Sequence, residues 1–254
     1  MGNNWTREQT IVAFNLYCKI PFQKSSKSHP QIIEIANLIG RTPSALNMKI
    51  GNFGSFDPEL KKQGIVGLSN SSKLDKEIWE EFNNNWDKLA YESEVLIARF
   101  MNKELELSPL PSIDIPIGYT REQQVKVRVN QSFFRNAVLS AYNNTCCVTG
   151  LNLSHLLIAS HIKPWCKSAP MKEQTNPQNG LCLNTLHDKA FDSGLITISK
   201  DYKIILSREL KEQLTKEVFH DYFLRYDNHK IIMPNRFLPD LDMIDYHNQN
   251  IFRG

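Results

Sequence analysis

From Ile158 to Leu195 the chain reads IASHIKPW, a proline-containing loop, and then NGLCLNTLHDKAFDSGL. Within that span stand one imidazole, His161, one carboxamide, Asn179, and the adjacent pair His187–Asp188. An imidazole titrates near ~6.5, so it can take a proton at neutral pH. A carboxylate, or a second imidazole, can hold a divalent cation. A base and a cation together suit hydrolysis of a phosphodiester, provided that they flank one phosphorus. Asn179-Gly180 is also a common turn pair, and that reading of Asn179 stays open at this point.

The elements that must position these groups can be read on either side of them. HLLIAS is a short apolar strand that ends at His161, and NGLCL is a second, with Leu181 and Leu183 on one face. Pro164, Pro170 and Pro177 mark the loop between them. TLHDKAFDSG predicts a helix capped by Thr185 and stopped by Gly194. Two strands and a helix therefore form a ββα core at about 155–194. LITIS and KIILS predict a hairpin around Lys200–Asp201, and Leu241, Ile244 and Phe252 predict a packed terminal helix. Upstream, Thr120 and Gln123 form a capping box for a helix whose buried side includes Val125, Phe133 and Val138.

Residues 1–100 read as a helical domain, 101–119 as a proline-bearing linker, and 120–254 as a second domain. Thr6 and Gln9 open the first helix. PQIIEIANLIG, stopped by Gly40, and RTPSALNMKIGNF, capped by Thr42 with Pro43 following, outline a helix-turn-helix. Its second helix would offer Ser44, Asn47 and Lys49 to DNA, although a plain helical hairpin fits the same pattern. A third helix is expected at 74–90, with Ile78, Trp79, Phe82, Trp86 and Leu89 as core.

Composition bounds the rest. With 254 residues, 41% hydrophobic and 22% charged, the chain is long enough for two globular cores. No apolar run is long enough for a membrane span, and no charged-then-apolar leader opens the chain. Five cysteines, adjacent or scattered, suit reduced thiols in a cytoplasmic protein. Without any C-x-x-C pair, no structural zinc is expected. The net charge is only +3, but Arg121–Lys172 carries seven Lys/Arg against Glu122 alone, which favours a polyanionic partner.

RVNQSFFR, CCVTG, ASHIKPW, NGLCL, HDKAFDSGLITI and YHNQNIF follow one another through residues 120–254. This half resembles the H-N-H endonucleases found as stand-alone bacterial restriction enzymes. GRTPSALNMKIGNFGSFDP resembles, more loosely, the helical domain that precedes some of them. The resemblance implies an α+β chain: a helix-turn-helix-like N-terminal domain, then a ββα-metal (His-Me finger) nuclease domain. It implies a divalent-metal-dependent DNA endonuclease, a restriction or defence enzyme leaving 5′-phosphate and 3′-hydroxyl ends. His161 would be the base, and Asn179 would hold its loop.

One Mg²⁺ or Mn²⁺ would sit on Asp188, the first choice, or on His187. Neighbours on a helix point about 100° apart, so both are not expected on one ion. Many relatives carry Asp where this chain has Ser160 or Ile158, which implies a weakly held ion. Asp192 could contribute to holding the ion, with a structural hydrogen bond the favoured reading. Lys163, Arg128 and Arg135 are candidate phosphate contacts, and Trp165 a loop anchor. The implied partner is double-stranded DNA, and a homodimer would allow both strands to be cut. The alternative is a non-cleaving DNA-binding regulator that retains the fold.

Overall fold

The structure is a computed structural model that describes residues 4–65, 67–68, 71–103, 120–170, 172–212 and 217–254. It combines helices with two small antiparallel sheets, an α+β mixture, and divides into two compact units. One unit holds residues 1–140 and 169–176; the other holds 141–168 and 177–254. The expected linker at 101–119 lies outside the described residues from position 104 onward.

The first unit is helical: α1 (Arg7–Lys19), α2 (Pro30–Leu38), α3 (Pro43–Gly54), α4 (Pro58–Lys62), α5 (Lys73–Phe82), α6 (Trp86–Phe100) and most of α7 (Arg121–Ala141). The capping box of α1 is made, with Gln9 N–H on the Thr6 hydroxyl and Thr6 N–H on Gln9 Oε1. Every residue of α1 from Thr10 to Cys18 is buried, because α3, α5 and α6 pack around it. Phe14 lies at the centre, 4.7 Å from the Phe53 ring and 5.3 Å from the Trp79 ring.

A single helix over 74–90 does not form. The chain leaves α5 at Phe82 and re-enters helix at Trp86, with Asn84 at φ 67° between them. Asn83, Asn84 and Asn85 are three side chains that tolerate or favour a left-handed turn, and the break falls on them. The apolar stripe survives it, since Ile78, Phe82, Trp86 and Leu89 are all core.

The second unit contains β1 (Leu157–His161), β2 (Gly180–Asn184), α8 (Thr185–Asp192), β3 (Ile196–Ile198), β4 (Ile204–Leu206), α9 (Arg208–Glu212), α10 (Glu217–Tyr222) and α11 (Leu241–Asn250). β1 and β2 pair antiparallel, Leu157 opposite Asn184 and His161 opposite Gly180. α8 follows β2 without a loop and packs on both strands. Its cap is Asn184, not Thr185: the Asn184 Oδ1 accepts the His187 N–H at 2.9 Å.

Gly194 ends α8 at φ 71°, and a β-carbon there would lie 2.1 Å from the Ile251 carbonyl oxygen. The hairpin β3–β4 turns through 199–203, as its two β-rich runs predict. In α11, Ile244 is buried while Leu241 is exposed, so the packed face is narrower than the sequence suggests.

Candidate active site

His161 closes β1 and is half-buried, with no side chain opposite it because its cross-strand partner is Gly180. The loop that follows is tied down by Asn179, which is fully buried. Asn179 Oδ1 accepts the Lys163 N–H at 2.8 Å, and its Nδ2 donates to Lys163 O and Ser168 Oγ, both at 3.1 Å. Ser168 Oγ donates in turn to Lys163 O at 2.9 Å. Trp165, inside this clamped loop, meets the His161 ring edge-on at 5.9 Å. A buried carboxamide thereby fixes the backbone on which the imidazole's neighbour is carried. The turn reading of Asn179 gives way to that of a loop clamp.

Across from β1, α8 carries Asp188 and Asp192 four residues apart and hence on one face. Partial burial raises the Asp188 carboxyl above its ordinary range, against the Ser160 hydroxyl and Lys189, which draw it down. Ser160 Oγ is buried, makes no full hydrogen bond with a described group, and lies near enough to Asp188 to draw its carboxyl down. Partial burial and the charge of Asp188 push Asp192 up to about 6. The structural hydrogen bond expected of Asp192 is not made among the described residues. Its carboxylate stands beside Asp188 instead.

The half-buried Asp188, the more exposed Asp192 on the same face and the buried Ser160 hydroxyl beside Asp188 offer oxygen donors that fit a hard cation. Among the described residues, no three His, Cys, Asp or Glu side chains converge on one point. The remaining coordination would come from water and a phosphate, as is usual for Mg²⁺.

His187 has a different place. It is 1% exposed, its Nε2–H donates to Tyr222 O at 2.8 Å, and its Nδ1 lies 3.0 Å from Asn184 Oδ1. Burial holds its pKa below the ordinary value. Its Nε2 is a donor and its Nδ1 is covered by Asn184 Oδ1, so neither ring nitrogen presents a lone pair to an open ion site in this arrangement.

The expected DNA-contacting residues are scattered. Lys163 is half-buried with its ammonium 5.1 Å from the Tyr246 ring centre. Arg128 and Arg135, two helical turns apart and half-buried, share a face of α7 in the first unit. On α3, Ser44 is exposed and Asn47 half-buried. Lys49 is corrected: it is 5% exposed and its ammonium is paired with the fully buried Asp75. Its charge is spent inside the helical core, so it does not face a ligand.

His247, outside the 158–195 span, also bears on the site. Its ring stacks on Phe191 of α8 at 3.8 Å and 13°, its Nε2–H donates to Phe191 O at 3.1 Å, and Nδ1 lies 2.8 Å from Thr197 Oγ1. It ties the carboxylate-bearing helix to α11 and β3. Nothing local announces this, because the contacting residues lie 56 and 50 positions away.

No curated protein matches the chain. A solved structure described as "Modification dependent TagI restriction endonuclease" is similar at 21% identity and a TM-score of 0.29. The likeness covers 46% of this chain and 37% of that one, so the chain spans well under half of that protein. Residues 146–199 match the family model described as HNH endonuclease, and the segment holding His161, Asn179, Asp188 and Asp192 is therefore an HNH endonuclease domain.

Proposed function

We propose that the chain is a divalent-metal-dependent DNA endonuclease of the restriction or defence type. The observation that carries this reading is the Asn179-clamped loop after His161, set against the Asp188–Asp192 face of α8. Neighbouring strand residues point to opposite sides. Ser160 interacts with Asp188, so His161, next along β1, leaves the strand on the other side. A base and a cation on opposite sides of one strand end suit attack on a phosphorus bound at that end.

In this mechanism His161 takes a proton from the attacking water, and the bond from phosphorus to the 3′ oxygen breaks. The products are 5′-phosphate and 3′-hydroxyl ends. Asp188, with Asp192 as its partner, would hold Mg²⁺ or Mn²⁺, which supplies charge stabilisation at the phosphorus and the leaving oxygen. Asn179 keeps the loop, and with it the His161 ring, in place. Lys163, Arg128 and Arg135 grip phosphates. We assign DNA reading to residues 1–100, through a helix-turn-helix-like α2–α3 pair presenting Ser44 and Asn47, and hydrolysis to 120–254. Two copies acting in the cytoplasm would cut both strands. No helix among the described residues is long and apolar enough to cross a membrane.

Supercoiled plasmid incubated with Mg²⁺ or Mn²⁺ tests the reading. Cleavage by the wild type that is lost in His161→Ala, with DNA binding kept, is the expected result. Binding without cleavage by the wild type would replace this reading with that of a DNA-binding regulator on the same fold.

A further inference from the structure

We infer that the loop Phe22–Ser28 is a phosphate-contacting strap that flanks α3 and engages the duplex through Lys24 and Lys27. The inference rests on the nuclease reading above and names the surface by which the first unit would hold its substrate. The loop is built against α3 at two points. Phe22 packs on Gly54 so closely that a β-carbon there would fall 2.4 Å from the ring. Ser25 Oγ donates to Asn47 Oδ1 at 2.7 Å. Asn47 and Gly54 lie seven residues apart, about two turns, so both anchors use one face of the helix. The loop therefore runs along α3 from its C-terminal end toward the half that carries the exposed Ser44 and Met48.

The scarcity of acids marks this stretch of the unit. Between Ile20 and Phe56 the only acid is Glu34, against Lys24, Lys27, Arg41 and Lys49. Lys49 is buried on Asp75, and Arg41 is turned to Gln9 and the Trp5 ring. Lys24 and Lys27 are exposed and make no ion pair with a described residue. Most other lysines of the unit, Lys19, Lys49, Lys62 and Lys88 among them, lie against a carboxylate. Two unneutralised ammonium groups on an anchored loop, beside the exposed Ser44 of α3, suit a polyanionic backbone. The occupant is duplex DNA: phosphates on the loop, with α3 alongside.

The test uses the full-length chain in EDTA, so that cleavage does not intervene, and a fluorescein-labelled mixed-sequence duplex read by anisotropy against salt. Each lost phosphate contact lowers the slope of log affinity on log salt by about 0.9, so Lys24→Gln/Lys27→Gln should lower it by about 2. From about 50 to about 200 mM salt the wild type then loses about 12-fold more affinity than the double variant. Lys61→Gln/Lys103→Gln, a charge-matched control at exposed, unpaired positions of the same unit, should keep the wild-type slope. An unchanged slope in the loop variant overturns the inference and leaves the nuclease reading standing. An equal fall in the control also overturns it, since net charge alone would then explain the effect. A wild type that binds no duplex overturns it outright, and plasmid cleavage then tells whether the nuclease reading falls too.

Discussion

Acid should loosen α8 specifically through His247. The ring is 1% exposed, stacked on Phe191 and hydrogen-bonded to the Phe191 carbonyl, and burial pushes its pKa down to about 4. In the unfolded chain the same group titrates near ~6.5. The native ring therefore holds a proton less well than the unfolded one. Its contribution to stability is complete above about pH 6.5 and drains away as pH falls toward about 4. At about 1.4 kcal/mol per unit the loss comes to about 2 kcal/mol by pH ~5 and about 3 kcal/mol by pH ~4.

His187, also depressed, acts in the same direction. Asp188 and Asp192 act in the opposite one, since raised carboxyls gain stability on acidification. The difference between wild type and His247→Gln isolates the His247 part. Hydrogen exchange at the α8 amides, corrected for intrinsic rates, should show an opening free energy that falls about 2 kcal/mol further in the wild type between pH ~7.5 and ~5. Equal falls in the two proteins would mean that His247 is not held neutral by this packing, and the argument would be refuted.

Four further outcomes follow from the structure. Asn179→Ala removes the Asn179 acceptor from Lys163 N–H and one donor each from Lys163 O and Ser168 Oγ, which keep their bond to each other, so stability should fall by about 2 kcal/mol and cleavage more steeply than DNA binding; a variant that cleaves normally would remove the clamp from the mechanism. Asp188→Asn should abolish Mn²⁺ binding seen by electron paramagnetic resonance, while His187→Gln should keep it and lower the melting temperature; the reverse pattern would reinstate His187 as the ligand. Wild-type Mn²⁺ affinity should also weaken as pH drops below about 6, where Asp192 takes up a proton, and a flat profile would exclude that carboxylate. Lys49→Ala, which leaves Asp75 buried and unpaired, should cost about 3–5 kcal/mol, and Lys49→Met with Asp75→Leu far less, both read by urea melts; a neutral Lys49→Ala would return that lysine to the surface.

What could be read in advance divides along a physical line. Local chemistry was legible. Thr6–Gln9 and Thr120–Gln123 are capping boxes because a hydroxyl and a carboxamide three residues apart reach each other's N–H groups, whatever the rest of the chain does. The strand–loop–strand–helix order around His161 and Asn179 was legible for the same reason, since turn residues and alternation act over a few positions.

Asp188 and Asp192 sit at helical spacing, and that spacing alone could have paired them. The same spacing already admits Asp192 as a second contributor to the ion, beside its reading as a structural hydrogen bond. Lys49 could not have been placed. On an amphipathic helix a lysine at the edge of the polar stripe faces either solvent or a neighbouring helix, and only Asp75, 26 positions on, decides between them. His247 fails in the same way at twice the distance. The groups that act at the site are thus visible in short stretches of sequence. The groups that hold those stretches still come from elsewhere in the chain, where no motif spacing constrains them and only packing reveals them.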